Sequence, residues 1–178
     1  RTSSSISQFP TMIMGSKPTD GGYLIMSKEE RDEIVNAYPE VSHLIKGYMG
    51  ADDFLSSFDR FCLWMNEDDY KEYGHIEPIA TRVEGVKQSR LASNTSSTQE
   101  YAQYPYMFRQ PQYIESDSII IPSTSSERRE YIPVGFLDKN IVVSNSAYVV
   151  YGADMLLFAI LTSKMHNIWV RAVGGALE

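Results

Sequence analysis

The chain is poor in the residues from which metal and redox sites are built. Its 178 residues include one cysteine, Cys62, and three histidines, His43, His75 and His166. A single cysteine excludes an intramolecular disulfide and any metal site made of several thiolates. It stands in the apolar run Phe61-Cys62-Leu63-Trp64, which reads as a place for a buried structural thiol. No two histidines stand at a spacing suited to a metal, and the Asp/Glu clusters fall on expected surface helices, so no metal site is expected. No apolar run approaches the length of a membrane span, and no signal peptide opens the chain. The expected setting is therefore reducing and cytoplasmic.

Positive charge is also scarce. The net charge is −7 and the sequence pI is near 5.0, which counts against a protein that coats nucleic acid through its overall charge. The imbalance is uneven. Residues 1–89 carry 9 Lys+Arg against 15 Asp+Glu, whereas residues 90–178 carry 7 against 8. Any polyanion-binding face must be local, and the second half is the better place for it. At 43% hydrophobic and 12% aromatic, the chain can bury a core as one domain or as one domain with a small appendage.

Catalytic motifs are missing as well. Gly15 to Gly22 lies in a glycine-containing loop without the spacing of a phosphate-binding loop or a dinucleotide fingerprint. Asp59 followed by Asp69-Tyr70-Lys71 is similar in order to the carboxylates and lysine of metal-dependent nucleases. The second part falls in an acidic helical run, however, where a solvated helix face is the plainer reading. No Ser/His/Asp order stands out.

Secondary-structure signals are clearer. Residues 1–11 are Ser/Thr-rich and expected to fray, with the domain proper over 12–178. Ser27 with Glu30 three residues on forms a capping box, and Pro39 should end that helix near Tyr38. Val41–Tyr48 reads as a short helix, Ala51–Leu55 as a helical turn and Arg60–Met65 as an aromatic-rich strand. Glu67–Glu72 reads as a solvated helix, Pro78 suits the start of a helix over Ile79–Leu91, and residues 92–99 as flexible chain. Arg82, Lys87 and Arg90 fall on one broad face of that last helix. The aromatic residues Tyr101, Tyr104, Tyr106, Phe108 and Tyr113 are expected in the core rather than stacked on bases. β signals dominate from Tyr113 to Tyr151. Asp154 should cap one long closing helix, running to about Val173 and ended by Gly174-Gly175, with Ile168 and Trp169 packed on the sheet. The expected class is α+β: a helical first half, an antiparallel or mixed β-rich middle and a long closing helix.

The most informative segment starts at Ile119. An apolar strand, Ile119 to Ile121, leads into a polar tip and returns through a second strand expected over Tyr131–Phe136. Hydroxyls and guanidinium groups on one tip suit phosphate oxygens and guanine edges. Ser123, Thr124, Ser125, Ser126, Arg128 and Arg129 are therefore candidate DNA contacts. Ser144, Asn145, Ser146 and Tyr148, at the next β connection, are secondary candidates for base reading. Lys164, His166, Asn167 and Arg171 on the closing helix are candidates for phosphate contact or for docking on a catalytic core. The alternative is a polar turn between core strands.

Four strings in order carry a resemblance: Met14 to Gly22 (MGSKPTDGG), Ser125 to Pro133 (SSERREYIP), Val134 to Leu137 (VGFL) and Ile160 to Arg171 (ILTSKMHNIWVR). Together they resemble the target recognition domain of the MmeI-like family, over nearly the whole chain from about Met12. These are bacterial proteins that join an N6-adenine DNA methyltransferase, often with a nuclease, to a DNA-reading domain. The family's Asn-Pro-Pro-Tyr motif and glycine-rich S-adenosylmethionine loop are absent from this sequence. The chain opens at Arg1 without a Met and stops just past the closing helix, and both ends read as cut. The resemblance implies that this piece supplies specificity for double-stranded DNA. The methyltransferase core of the same polypeptide would supply chemistry and S-adenosylmethionine. A module that only docks on its parent, without reading DNA, is the rival expectation.

Overall fold

The computed structural model describes residues 8–56, 59–124, 126 and 129–174. Of the sequence candidates, Ser125 and Arg128 lie outside the described residues.

In chain order the elements are β1 (Ile13–Met14), β2 (Ile25–Met26), α1 (Lys28–Ala37), a 3-10 turn (Pro39–Leu44), β3 (Ile45–Met49), α2 (Ala51–Ser56), β4 (Arg60–Leu63), α3 (Glu67–Tyr73), α4 (Glu77–Leu91) and α5 (Ser96–Glu100). A 3-10 turn (Tyr101–Gln103) precedes β5 (Ser118–Pro122), β6 (Gly135–Leu137), β7 (Ile141–Val143), β8 (Ala147–Tyr151), α6 (Met155–Thr162) and α7 (Lys164–Gly174). The strands form two four-stranded sheets, in the orders β1-β8-β5-β6 and β2-β4-β3-β7. All pairings are antiparallel except β3 with β7, which is parallel. The class is α+β, as the sequence indicated.

Local chemistry accounts for the helix starts. The Ser27 hydroxyl accepts from the Glu30 amide and the Glu30 carboxylate accepts from the Ser27 amide, closing the capping box of α1. Asn66 and Asp69 do the same for α3. Asp154 accepts the Leu157 amide at 2.8 Å and opens α6.

Sheet alternation divides the core. On β5, Ile119 faces a cluster with Val150, Ala153 and Leu157, while its neighbour Ile120 faces the opposite cluster with Leu137, Val143 and Val149. The second sheet is covered by α4, whose Ile79, Val83 and Val86 recur at helical spacing. Val142 belongs to that core and Val143 to the other, so β7 ties the two sheets together.

Several expectations are corrected. Residues 45–49 form a strand, because pairing with both β4 and β7 outweighs the helical pattern over Val41–Tyr48. The second half of residues 92–99, a stretch expected to be flexible, lies in α5 (Ser96–Glu100). The closing helix is two helices. At Ser163 the backbone turns extended, with φ −64° and ψ 148°, and the Ser163 hydroxyl accepts the His166 amide as the cap of α7. The new helix axis turns Asn167 inward, at 3% exposure, and leaves Ile168 58% and Trp169 60% exposed. Neither packs on the sheet as expected.

Candidate nucleic-acid interface

The polar excursion after β5 is longer than the expected hairpin tip. β5 and β6 pair only from Ser118–Leu137 to Ile120–Gly135; Ile121 and Pro122 stay paired with β8, and the chain leaves the sheet from Ser123 until Gly135. The second strand starts at Gly135 rather than Tyr131 for two local reasons. Pro133 has no N–H to donate, and the Ile132 N–H is taken by the Asn167 side chain at 2.7 Å.

Both ends of this excursion are clasped. At the outgoing end, the Ser123 hydroxyl donates to the Ser146 carbonyl at 2.7 Å, and the Ser123 amide approaches the same oxygen at 3.3 Å. At the returning end, the Arg171 guanidinium donates to the carbonyls of Arg129 and Glu130. Asn167 there accepts from Ile132 and donates to the Ser163 carbonyl at 2.9 Å. The three candidate groups from the sequence, spread over some fifty positions, are thus joined through one loop. Ser123, Thr124, Ser126 and Arg129 are exposed along it.

The Ser144–Ser146 turn is built from the inside. The Ser144 amide donates to Met49 and the Asn145 amide to Ser16. The Ser146 hydroxyl accepts the Ala51 amide at 2.9 Å and lies 3.0 Å from the Ser144 hydroxyl. Ser144 is buried, and its bond to the Tyr48 hydroxyl opposes, without cancelling, the burial that pushes that phenol up to about 12. Asn145 and Ser146 are exposed, and Tyr148 is half-buried on β8 between Met14 and Ile121. Ser144 and Asn167, placed among contact candidates by sequence, therefore spend their side chains on internal bonds and position the exposed residues beside them. Lys164 is exposed at the start of α7, and the half-buried His166 ring lies tilted against Trp169, centroids 6.3 Å apart.

Sequence reasoning missed the part played by Ser16 and Lys17. Ser16 bridges Ser144 in parallel fashion, its amide donating to Val143 and its hydroxyl accepting from Gln112. This sets exposed Lys17 next to Asn145. The signal was Gly15: a Cβ there would stand 2.3 Å from the Ser144 carbonyl oxygen, so only glycine lets the two segments meet.

The basic face expected on α4 is not a binding face. Arg90 is 1% exposed and donates to the carbonyls of Pro18, Thr19, Tyr101, Tyr104 and Met107. Arg82 holds the carbonyls of Tyr23 and Ile25 and pairs with Glu30; Lys87 alone is exposed there. The nuclease-like residues are similarly employed, Asp69 as a helix cap and Lys71 paired with Glu67 and Asp68. Of the aromatic run, Tyr106 stacks on Tyr70 at 4.5 Å and Phe108 packs between Tyr48 and Trp64, both in the core. Among the described residues no cluster of three or more His, Cys, Asp or Glu could hold a metal, and no helix is long and apolar enough to cross a membrane.

Known proteins resemble this chain. DNA methyltransferase A of Bacillus subtilis (strain 168) is 37% identical over 173 residues, which are 97% of this chain and 20% of that protein. A solved structure of the Type IIL restriction-modification enzyme MmeI in complex with DNA superposes with a TM-score of 0.86 at 35% identity, covering 99% of this chain and 24% of MmeI. The chain thus spans about a fifth to a quarter of the length of these relatives. Residues 1–178 match the family described as MmeI, target recognition domain, from end to end, and the chain belongs to that family.

Proposed function

We propose that this domain reads the sequence of double-stranded DNA for a bacterial site-specific adenine-N6 methyltransferase or fused restriction–modification protein. The observation that carries the reading is the clasped loop. It holds exposed hydroxyl, amide and guanidinium groups in one place on a chain whose overall charge is acidic. Base reading needs a few such groups held in fixed geometry, whereas phosphate attraction can come from elsewhere in a longer polypeptide. Ser123, Thr124, Ser126, Arg129, Asn145, Ser146 and Tyr148 form the proposed reading surface, and the candidates Ser125 and Arg128, outside the described residues, are proposed for the same role on their chemistry. Lys164, His166 and Arg171 flank it toward phosphate, with Ser144 and Asn167 as supports.

Chemistry belongs to a methyltransferase core of the same polypeptide, facing the other side of the duplex while one adenine is extruded. S-adenosylmethionine would bind to that core. The glycine-containing segment of this chain does not fit the cofactor, since Gly15 is closed against Ser144 and the carbonyls of Pro18 and Thr19 are taken by Arg90. The setting proposed is the bacterial cytoplasm.

The reading is tested with the 178-residue chain and a fluorescent duplex over a salt series. Weak binding that falls as salt rises is expected, since phosphate contacts release counterions, together with no methyl transfer from S-adenosylmethionine. No binding even at low salt, or methylation by this chain alone, would overturn it.

A further inference from the structure

The two closing helices carry a second surface, facing away from the sheet. α6 has no charged residue along Met155–Thr162. Leu157 is buried against the sheet at 6% exposure, while Met155 and Leu156 are each 62% exposed. A helix apolar on every side is one that is covered on every side in its working state. α7 continues the pattern: Met165, Ile168, Trp169 and Val173 recur at helical spacing, at 82%, 58%, 60% and 60% exposure. Exposed apolar side chains gathered on two successive helices mark an interaction site.

Two features identify what covers it. The six residues are uncharged, and Arg171 on the same helix already donates to the loop carbonyls, so this face does not suit a phosphate backbone. The relatives carry this domain inside much longer chains, of which it makes up 20% and 24%. We infer that the α6–α7 face is the seat on which the remainder of the same polypeptide docks, through an apolar surface. The inference rests on the reading that a catalytic part accompanies this domain, and it assigns α7 two jobs at once. Its inner face holds the recognition loop through Asn167 and Arg171, and its outer face fixes that loop relative to the catalytic part.

The test is cysteine labelling in the full-length protein without DNA. Cys62 is fully buried and burial pushes its thiol up, so it stays silent. Ile168→Cys, with Met165→Cys as an independent second position, is labelled with a maleimide and read on its own peptide by mass spectrometry. Each rate is compared with that of the same protein in urea. Both sites should label at least about tenfold slower in the native protein, equally at every protein dilution. Labelling at the unfolded rate would overturn the inference. So would protection lost on dilution, which means a second copy, or protection that needs added duplex. Because no DNA is present in the main arm, failure of DNA reading leaves this result untouched.

Discussion

Asn167 accepts the Ile132 amide across 2.7 Å while being 3% exposed, so one buried side chain on the last helix fixes where the polar loop returns to the sheet. Asn167→Ala should leave that N–H unpaired and cost about 1–3 kcal/mol. Amide exchange at residues 129–132 should rise well before the strands loosen. Unchanged exchange at Ile132 would show that the bond does not hold the loop.

Arg129 is exposed with its carbonyl clasped by Arg171. Its side chain is thereby offered outward from a fixed backbone. If it forks onto a guanine O6/N7 pair, Arg129→Ala in the full-length protein should cost about 1–3 kcal/mol and relax one position of the modified site. If it holds phosphate instead, methylation should weaken evenly across sequences and the salt slope should drop by about one unit. Sequencing the modified adenines in a methylated DNA library separates the two. An unchanged motif at an unchanged rate would remove Arg129 from the interface.

Arg90→Met should destabilise the domain by at least about 3 kcal/mol, because several carbonyls lose a charged donor in a closed site. Arg90→Lys should rescue only part of this, since an ammonium cannot reach acceptors spread around a planar fork. Urea midpoints of the two variants decide it; equal stability for Lys and Arg would mean that charge alone matters.

Trp169→Ala should change the stability of the 178-residue chain by less than roughly 0.5 kcal/mol, as for other exposed sites. The buried position first expected for it would instead cost about 3–5 kcal/mol. A melting curve distinguishes these directly.

Gly15→Ala places a methyl group 2.3 Å from the Ser144 carbonyl oxygen. The backbone must shift there, at a cost of about 1–3 kcal/mol. Chemical shifts at residues 144–146 should move more than those of α1, and a uniformly unperturbed spectrum would contradict the close approach.

What could be read from the sequence was what is decided locally. Ser27 with Glu30, Pro78 and Asp154 announce helix starts because a cap is made by residues within one turn. Chemistry singles out the candidates at Ser123, Ser144 and Arg171 one group at a time; that the Ser123 hydroxyl meets the Ser146 carbonyl and Arg171 the Arg129 carbonyl is visible only in the structure. The β4 strand was legible, but its neighbour β3 was read as helix because its strand character comes from pairing with β4 and with β7, far along the chain. Arg90 was misplaced because carbonyl acceptors leave no mark in a sequence. The break at Ser163 was missed because the apolar pattern suits a continuous helix, while the partner that draws Asn167 inward, the Ile132 amide, lies in another segment.

The clasps at Ser123 and at Ile132 fix the two ends of the polar excursion. Between fixed ends, doubling a loop's length costs only about 0.6 kcal/mol in closure entropy, and Ser123, Thr124, Ser126 and Arg129 stand exposed, outside the core clusters. A change of chain length between those two clasps should therefore cost the scaffold little. Descendants of one ancestral chain could diverge in the bases they select there while inheriting an unchanged scaffold.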